Sequence, residues 1–304
     1  MTHAIQGLWP ALLMPFNASG ELDTARAIAH AKRMLDAGCD GITLFGTTGE
    51  GLSFSMAERK AVLEAMLASG IRADHIVVTI SACALAEAIE LGRHAIALGC
   101  TRQLLMPPFF FNHPREAGVV AAVSQVIQGI GSEDLRVLLY HFPSLSNVTF
   151  SHAAVAELVR LHPQQVTGFK DSAGDLAHSL EIIKAFPKLA ILVGSEAHVA
   201  TAMRAGSPGS INGLSNLAPH LLKRVMRNPE AVSAADEALI LDLLKLLSLL
   251  PNMPFVSAYK TALAEQTGDD TWLNVRAPLT PLDNTEAQAV RAAYRALGQN
   301  AATL

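Results

Sequence analysis

Short apolar runs, rich in β-branched residues, alternate with longer Ala- and Leu-rich stretches along most of the chain. This alternation is typical of repeated strand–helix units around a parallel sheet. The candidate strands start roughly every 20 to 35 residues, close to the repeat of a (β/α)8 barrel of ~250 residues. They are WPALLMPF (9–16), GITLFG (41–46), HIVVTIS (75–81), RQLLMPP (102–108), RVLLYHFP (136–143), VTGFKDS (166–172), LAILVGS (189–195) and GSINGLS (209–215). The pattern predicts an α/β protein folded as a (β/α)8, or TIM, barrel.

The stretches between the candidate strands predict helices. Between the second and third strands, Ser55 and Glu58 have the spacing of a capping box, so a helix is expected to begin there and to end at Gly70. After the eighth strand the chain stays Ala- and Leu-rich with proline breaks, which predicts an appended helical region. We expect a catalytic barrel over 1–225 and a C-terminal helical region over 226–304 that packs on it.

One stretch of this helical region, 234–250, is apolar on nearly every side. A helix of that kind is stable only when it is covered on most of its surface. The stretch is therefore expected to be buried against the barrel or against another subunit.

The charge balance argues against nucleic-acid and membrane partners. Lys and Arg number 23 and Asp and Glu number 27, so the net charge at pH 7 is −4, and no run of basic residues occurs. A protein that binds nucleic acid or an anionic membrane carries a basic patch. With 50% hydrophobic and 16% charged residues, the 304-residue chain is also not disordered. A small-molecule partner is expected.

Cysteine usage and the apolar segments predict a cytoplasmic location. Cys39, Cys83 and Cys100 have no C-x-x-C spacing and lie in apolar or Ala- and Gly-rich contexts typical of inert core thiols. The N-terminal segment lacks the basic region of a signal peptide. The longest apolar run, 238–250, contains charged residues and is shorter than the ~20 residues that a membrane span needs.

Motifs for nucleotide and zinc binding are missing from the sequence. An open doubly wound sheet that binds a dinucleotide would carry G-x-G-x-x-G after its first strand, and NASGELD stands there instead. G-x-x-x-x-G-K-[ST] and H-E-x-x-H do not occur, and the 11 histidines show no close ligand spacing. No metal or organic cofactor is predicted.

In a (β/α)8 barrel, catalytic groups collect at the carboxyl ends of the strands. Alternation along the sixth strand puts Val166, Gly168 and Lys170 on one face and Phe169 on the other, so Lys170 points into the barrel if Phe169 packs on the helices. A desolvated lysine has a lowered pKa, which favours the neutral amine that forms Schiff bases. The alternative is a lysine that extends to solvent and pairs with Asp171.

The fifth strand ends with Tyr140, which shares its face with Leu138, whereas His141 faces the other way. A phenol at the barrel mouth could move a proton to and from a carbinolamine or a substrate hydroxyl. The structural alternative is a buried tyrosine whose hydroxyl is simply hydrogen-bonded.

Two further strand ends carry polar groups. After the second strand, the turn Gly46–Gly51 offers backbone N–H groups beside the hydroxyls of Thr47 and Thr48, a combination that suits a carboxylate but also occurs in structural turns. After the seventh strand, Glu196 could bind substrate hydroxyls or cap the next helix.

Taken in order, GTTGE (46–50), YHFP (140–143) and GFKDSAGD (168–175) resemble the motifs of the dihydrodipicolinate synthase and N-acetylneuraminate lyase family. The resemblance covers about 5–225. It implies a metal-free class I mechanism on a TIM barrel, without a cofactor, in a homotetramer built as a dimer of dimers.

The resemblance also implies roles for individual residues. Lys170 matches the lysine that forms an imine with the keto carbon of a 2-oxo acid such as pyruvate, and Tyr140 matches the proton-relay tyrosine. Thr47 and Thr48 match the pair that binds the pyruvate carboxylate and orients the tyrosine, with Thr48 expected among the catalytic residues. Gly46 and Ile211 are expected around the substrate.

Departures from the synthase pattern bear on the substrate. Leu145 stands where synthases carry the arginine that binds the carboxylate of aspartate semialdehyde, so binding of that aldehyde should be weak. Phe111 stands where synthases have a tyrosine that reaches into a neighbouring subunit. Ser172 lies where the neuraminate lyases have a hydroxyl residue near the sugar chain, but Glu196 lacks the adjacent acidic residue of those lyases.

These features favour an aldolase or dehydratase that acts on a 2-keto-3-deoxy sugar acid shorter than neuraminate. The nearest alternative is dihydrodipicolinate synthase itself, which condenses pyruvate with aspartate semialdehyde. A further alternative, motivated by the missing hydroxyl at Phe111, is a catalytically silent member that binds a 2-oxo acid.

Overall fold

The computed structural model describes residues 5–297. The first four residues of the predicted barrel region and the last seven of the predicted helical region, 1–4 and 298–304, lie outside the described residues. Eight parallel strands form one sheet that curls into a TIM barrel, as predicted. The strands are β1 Gly7–Pro10, β2 Ile42–Leu44, β3 Ile76–Thr79, β4 Arg102–Leu105, β5 Arg136–His141, β6 Val166–Asp171, β7 Ala190–Val193 and β8 Gly209–Asn212.

Helices connect the strands and continue after β8. Those of the barrel are α1 Thr24–Asp36, α2 Met56–Ala68, α3 Leu85–Ala97, α4 Glu116–Ile130, α5 Pro143–Ser146, α6 His152–Leu161, α7 Leu176–Ala185 and α8 Val199–Arg204. Four more follow: α9 Pro219–Arg227, α10 Ala234–Lys245, α11 Phe255–Thr267 and α12 Asn284–Ala296. The predicted capping box is confirmed at α2, where Ser55 accepts the N–H of Glu58 and Glu58 accepts that of Ser55.

The barrel closes where β1 lies between β8 and β2. β1 forms a regular ladder with β8, and on the side of β2 a single parallel bridge joins Ala11, the residue after β1, to Thr43. The predicted first strand, 9–16, is therefore wrong in its extent. The Leu12 N–H still donates to the carbonyl oxygen of Thr43, but the Leu13 N–H donates to the side chain of Asn216, so the chain leaves the sheet at that point.

Alternation along the strands separates two apolar layers. Side chains such as Leu104, Leu138, Leu192 and Ile211 pack inside the barrel together with Tyr140. Their neighbours on the opposite face pack between the strands and the surrounding helices, and Phe169 belongs to this outer layer. The face on which a strand residue lies thus decides whether it reaches the barrel interior.

The C-terminal helices pack on the barrel unequally. α11 is almost wholly buried. α10 is buried on one side through Ile240 and Leu243, whereas Leu241 remains half exposed, so the burial predicted for 234–250 is only partly met within one chain. Among the helices of residues 5–297, none is both long and apolar enough to cross a membrane.

The cysteines follow the sequence prediction only in part. Cys39 and Cys100 are buried, and burial raises the pKa of each thiol to about 12. Cys83 is exposed, so its prediction as a core thiol is wrong. It lies in the segment between β3 and α3, where the chain has left the strand and runs over the surface.

Barrel closure leaves no room for a side chain at Gly209. A Cβ there would lie 2.1 Å from the carbonyl oxygen of Gly7 on the paired strand, so we expect Gly209→Ala to lower the free energy of unfolding by about 3 kcal/mol. Gly118 in α4 faces open space, and Gly118→Ala should instead stabilise the protein by about 0.5–1 kcal/mol. Chemical denaturation measures the free energy of unfolding of both variants. Equal changes in the two would contradict the conclusion that Gly209 is required for barrel closure.

Candidate active site

Lys170 lies inside the carboxyl end of the barrel, on the face that alternation along β6 predicts. Its side chain is buried, with the residue 4% exposed, and its Nζ lies 4.2 Å from the centroid of the Tyr140 ring. The two residues are register partners on adjacent strands. The alternative of a lysine extended to solvent is therefore wrong.

Asp171, the next residue of β6, points away from Lys170. Its Oδ2 accepts hydrogen bonds from His178 Nδ1 at 2.9 Å and from Ser179 Oγ at 2.7 Å, and its Oδ1 accepts the Ala173 N–H at 3.0 Å. These bonds tie the end of β6 to α7. Lys170 thus has no ion pair with its neighbour in sequence, and the carboxylate instead fixes the strand end that carries it.

The turn after β2 brings hydroxyls to the same place. Thr47 Oγ1 lies 3.0 Å from the hydroxyl of Tyr140, and Thr48 is buried beside it. The turn is closed by bonds from the N–H groups of Gly49 and Gly51 to the Gly46 carbonyl. A Cβ at Gly51 would lie 1.8 Å from a backbone oxygen, so this position requires glycine.

A cavity of about 250 Å³ collects most of the residues that the sequence singles out. Those that line it are Thr47, Thr48, Tyr140, Lys170, Ser172, Glu196 and Ile211. Gly46 lies within the turn but is not among the lining residues, and Leu145 is not either. The structure therefore brings seven of the nine predicted residues together at one cavity.

Leu145 lines an adjoining cavity of about 410 Å³ whose walls are mainly apolar. The two cavities share Thr47, Tyr140 and Phe255. Neither Lys, Arg nor His occurs among the described residues that line the larger one. This cavity offers hydrophobic contact close to Lys170 but no basic group for a second carboxylate.

Glu196 does not cap the helix that follows β7, so that alternative is wrong. Its Oε1 accepts the N–H groups of Gly213 at 3.1 Å and Leu214 at 2.9 Å, in the turn after β8, and lies 3.4 Å from the hydroxyl of Tyr259. Burial raises the pKa of the Glu196 carboxyl, and burial together with Glu196 raises that of the Tyr259 phenol well above its usual value.

Sequence reasoning missed the contribution of the C-terminal helices to this cavity. Tyr259 and Phe255 of α11 and Leu244 of α10 line it, as does Asn212 at the end of β8. Tyr259 and Lys260, which stand among the small and apolar residues of the first half of α11, were a signal in the sequence, because buried polar groups need partners.

Outside the barrel wall, His141, Asp171 and His178 come within reach of one another, although their spacing in sequence gives no sign of it. The His141 and His178 rings stack with centroids 4.7 Å apart. His141 Nδ1 accepts the Phe150 N–H, so the proton of the neutral ring is on Nε2 and neither nitrogen has a free lone pair for a metal. The cluster is therefore a hydrogen-bonded anchor for β5 and β6.

Comparisons with known proteins give one consistent family. The profile of the dihydrodipicolinate synthetase family matches residues 4–297. A DapA-like lyase from Chloroflexus aurantiacus is 36% identical over 296 residues, covering 95% of this chain and 96% of the relative. A putative 2-dehydro-3-deoxy-D-gluconate aldolase from Escherichia coli is 27% identical over 285 residues, covering 91% and 92%. The crystal structure of dihydrodipicolinate synthase from Agrobacterium tumefaciens matches with a TM-score of 0.89 at 34% identity, covering 97% of this chain and 100% of that one.

The buried His141 predicts acid sensitivity of folding. Burial lowers its pKa from 6.5 to about 4, so between these pH values the unfolded state binds more protons and stability falls as the pH falls. His141→Asn keeps an acceptor for the Phe150 N–H without the titrating ring. We expect the loss of unfolding free energy from pH 7 to pH 5 to be smaller by about 1–2 kcal/mol in the variant. Urea unfolding at both pH values measures it, and equal losses would refute the assignment.

Proposed function

This chain belongs to the dihydrodipicolinate synthetase family, and we propose that it is a lyase that forms a Schiff base between Lys170 and the keto carbon of a 2-oxo acid. The observation that carries the proposal is the contact of the buried Lys170 amine with the Tyr140 ring, whose hydroxyl in turn meets Thr47. A nucleophilic amine, a proton carrier and a hydroxyl that orients the carrier stand in one cavity.

The geometry supports a stepwise mechanism. Lys170 adds through its neutral amine to C2 of the substrate, and the carbonyl oxygen leaves as water after Tyr140 supplies a proton. The substrate carboxylate is held by Thr47 and Thr48 in the turn after β2. The protonated imine then withdraws electrons from the C3–C4 bond.

Two outcomes can follow from the imine. In cleavage, the C4 hydroxyl gives its proton to Tyr140, the C3–C4 bond breaks, and an aldehyde leaves an enamine that is protonated at C3 and hydrolysed to pyruvate. In dehydration, the Tyr140 phenolate takes a proton from C3 and passes it to the C4 hydroxyl, which leaves as water while the C3–C4 double bond forms. Both use the imine nitrogen as the electron sink, and the chemistry is therefore assigned to this chain's own residues without a metal or an organic cofactor.

We assign a 2-keto-3-deoxy sugar acid as the substrate. Ser172, Glu196 and Asn212 line the smaller cavity and can bind sugar hydroxyls. Ile211 of β8 lines it too, whereas Gly46 belongs to the turn beside it. The likeness to the E. coli protein named as a putative 2-dehydro-3-deoxy-D-gluconate aldolase, which belongs to the same family, supports this assignment. Leu145 in an apolar cavity offers no charge to a second carboxylate.

Two alternatives are retained. Synthesis of dihydrodipicolinate is supported by the likeness to the Agrobacterium synthase structure. A silent 2-oxo-acid binder is supported by Phe111, which has no hydroxyl and is 81% exposed, away from both cavities of its own chain.

The assembly proposed here is a homotetramer arranged as a dimer of dimers, in the cytoplasm. Phe110 and Phe111 stand in contact with each other on the surface, largely exposed, and Leu52 and Leu145 are also more than a third exposed. Exposed large apolar side chains favour contact with another subunit.

Trapping with borohydride tests the imine. Incubation with pyruvate and borohydride should add a reduced pyruvyl group to the wild-type protein, because hydride fixes the imine at Lys170 as a stable secondary amine. Lys170→Ala should gain no mass under the same conditions. Intact-mass spectrometry of the wild type and of Lys170→Ala measures the mass added to each protein.

The two other results have separate meanings. An adduct on neither protein would favour the silent binder. An adduct on both would mean that a different lysine carries the chemistry, and the buried Lys260 would be examined next.

Substrate preference tests the Leu145 argument. Turnover of at least one 2-keto-3-deoxy sugar acid should exceed turnover of pyruvate with aspartate semialdehyde, because that aldehyde's carboxylate has no basic partner in the apolar cavity. Leu145→Arg should raise kcat/KM for aspartate semialdehyde about tenfold, as expected for one added charge-assisted hydrogen bond. If the wild type prefers aspartate semialdehyde to every sugar acid tried, the protein is a synthase.

A further inference from the structure

A second buried lysine, Lys260 of α11, lies beneath the turn after β2. Its side chain has no exposed surface, and its Nζ donates hydrogen bonds to Oε1 of Glu50 and, at 2.7 Å, to the carbonyl oxygen of Asn274. The same Nζ lies 4.4 Å from the centroid of the Phe16 ring. Burial lowers the Lys260 pKa to about 8, so the amine remains an ammonium ion at neutral pH.

Glu50 is held from two sides by the C-terminal part of the chain. While Oε1 meets Lys260, Oε2 accepts the backbone N–H of Arg276 at 2.8 Å. The Arg276 guanidinium also donates to the carbonyl oxygens of Gly20 and Ser53 at 2.8 and 2.9 Å. The last residue of the GTTGE motif is thus fixed to α11 and to the segment after it.

Strained backbone marks both ends of the segment that this carboxylate holds. Phe45 and Glu50 have φ angles of 60° and 54°, in the left-handed region that residues with a Cβ avoid. Between them lie the two threonines, and Thr47 contacts the Tyr140 hydroxyl. Such conformations persist where surrounding contacts over-determine them, and they collect at functional sites.

We propose that Lys260 and Glu50 are positioning residues that hold the turn after β2 in the shape that binds the substrate carboxylate and orients Tyr140. The inference rests on the proposed function, since it concerns binding at the same cavity. Neither residue lines the cavity around Lys170, although Glu50 borders the adjoining apolar cavity, so the pair reaches the substrate carboxylate through the turn.

The ion pair between Lys260 and Glu50 is better explained by the position that it gives to the turn than by a gain in folding stability. Two charges taken out of water are seldom more stabilising than apolar side chains of the same size, because the loss of hydration opposes their attraction. An ion pair does, however, fix distance and direction. Lys260 and Glu50 connect α11 to Thr47 through one turn, and from Thr47 the contacts continue to Tyr140 and Lys170.

The test uses borohydride trapping with pyruvate as the probe, measured over a range of pyruvate concentrations. We expect Glu50→Gln and Lys260→Met each to raise the half-saturating pyruvate concentration by about tenfold to a hundredfold, as small misplacements of binding groups do. The limiting trapping rate at saturation should fall less. Acetone, which forms an imine with the same lysine but has no carboxylate, depends on the turn only through Tyr140, so its trapping should fall much less than that of pyruvate.

Folding is controlled for in two ways. The double variant Glu50→Gln/Lys260→Met leaves no unpaired charge at this buried position, so it should fold even if a single variant does not, and it should show the same pyruvate defect. Asp269→Asn removes a different contact between barrel and C-terminal helices, the bond from Arg26 Nε at 2.8 Å. It should leave half-saturation unchanged.

Wild-type half-saturation in the folded double variant, or an equal loss with acetone and pyruvate, would overturn the proposal, because the pair would then act only on stability. A pyruvate defect in Asp269→Asn of the same size would also overturn it. Absence of any adduct on the wild type would instead count against the proposed Schiff-base function, so the two failures are distinguishable.

Discussion

The burial of one lysine amine against an aromatic ring is the constraint on which the site depends. Lys170 lies where β6 ends, and its Nζ faces the Tyr140 ring from the neighbouring strand. An amine in this position cannot be hydrated fully and has no carboxylate partner within its own strand, because Asp171 is bonded to α7. The amine is therefore a buried polar group that contacts the Tyr140 ring and lines the cavity.

Two sets of contacts hold Lys170 and Tyr140 in these positions. The cluster of His141, Asp171 and His178 fixes the ends of β5 and β6 from outside the barrel wall. On the opposite side of the cavity, the turn after β2 reaches Tyr140 through Thr47 and is itself fixed to the C-terminal helices. The helices after β8 thus take part in the site, and they are more than a cover for the barrel.

Features that depend on local sequence pattern could be predicted from the sequence. Strand alternation predicted that Lys170 and Tyr140 point inward, and the spacing of Ser55 and Glu58 predicted the start of α2. Contacts between distant segments could not be predicted, because periodicity tells which face a residue is on but not what meets it. The partners of Glu196 are of this kind, since the N–H groups after β8 and Tyr259 come from elsewhere in the chain. The predicted end of the first strand was wrong for the same reason, since the Leu13 N–H bonds to Asn216, a distant residue.

The most direct measurement is a crystal structure of the protein reduced with borohydride in the presence of pyruvate. The account predicts continuous density from Nζ of Lys170 to C2 of the pyruvyl group, with its carboxylate on the hydroxyls of Thr47 and Thr48 and the Tyr140 hydroxyl within hydrogen-bond distance of the former carbonyl position. Pyruvate bound without a covalent bond, or attached to a lysine other than Lys170, would contradict it.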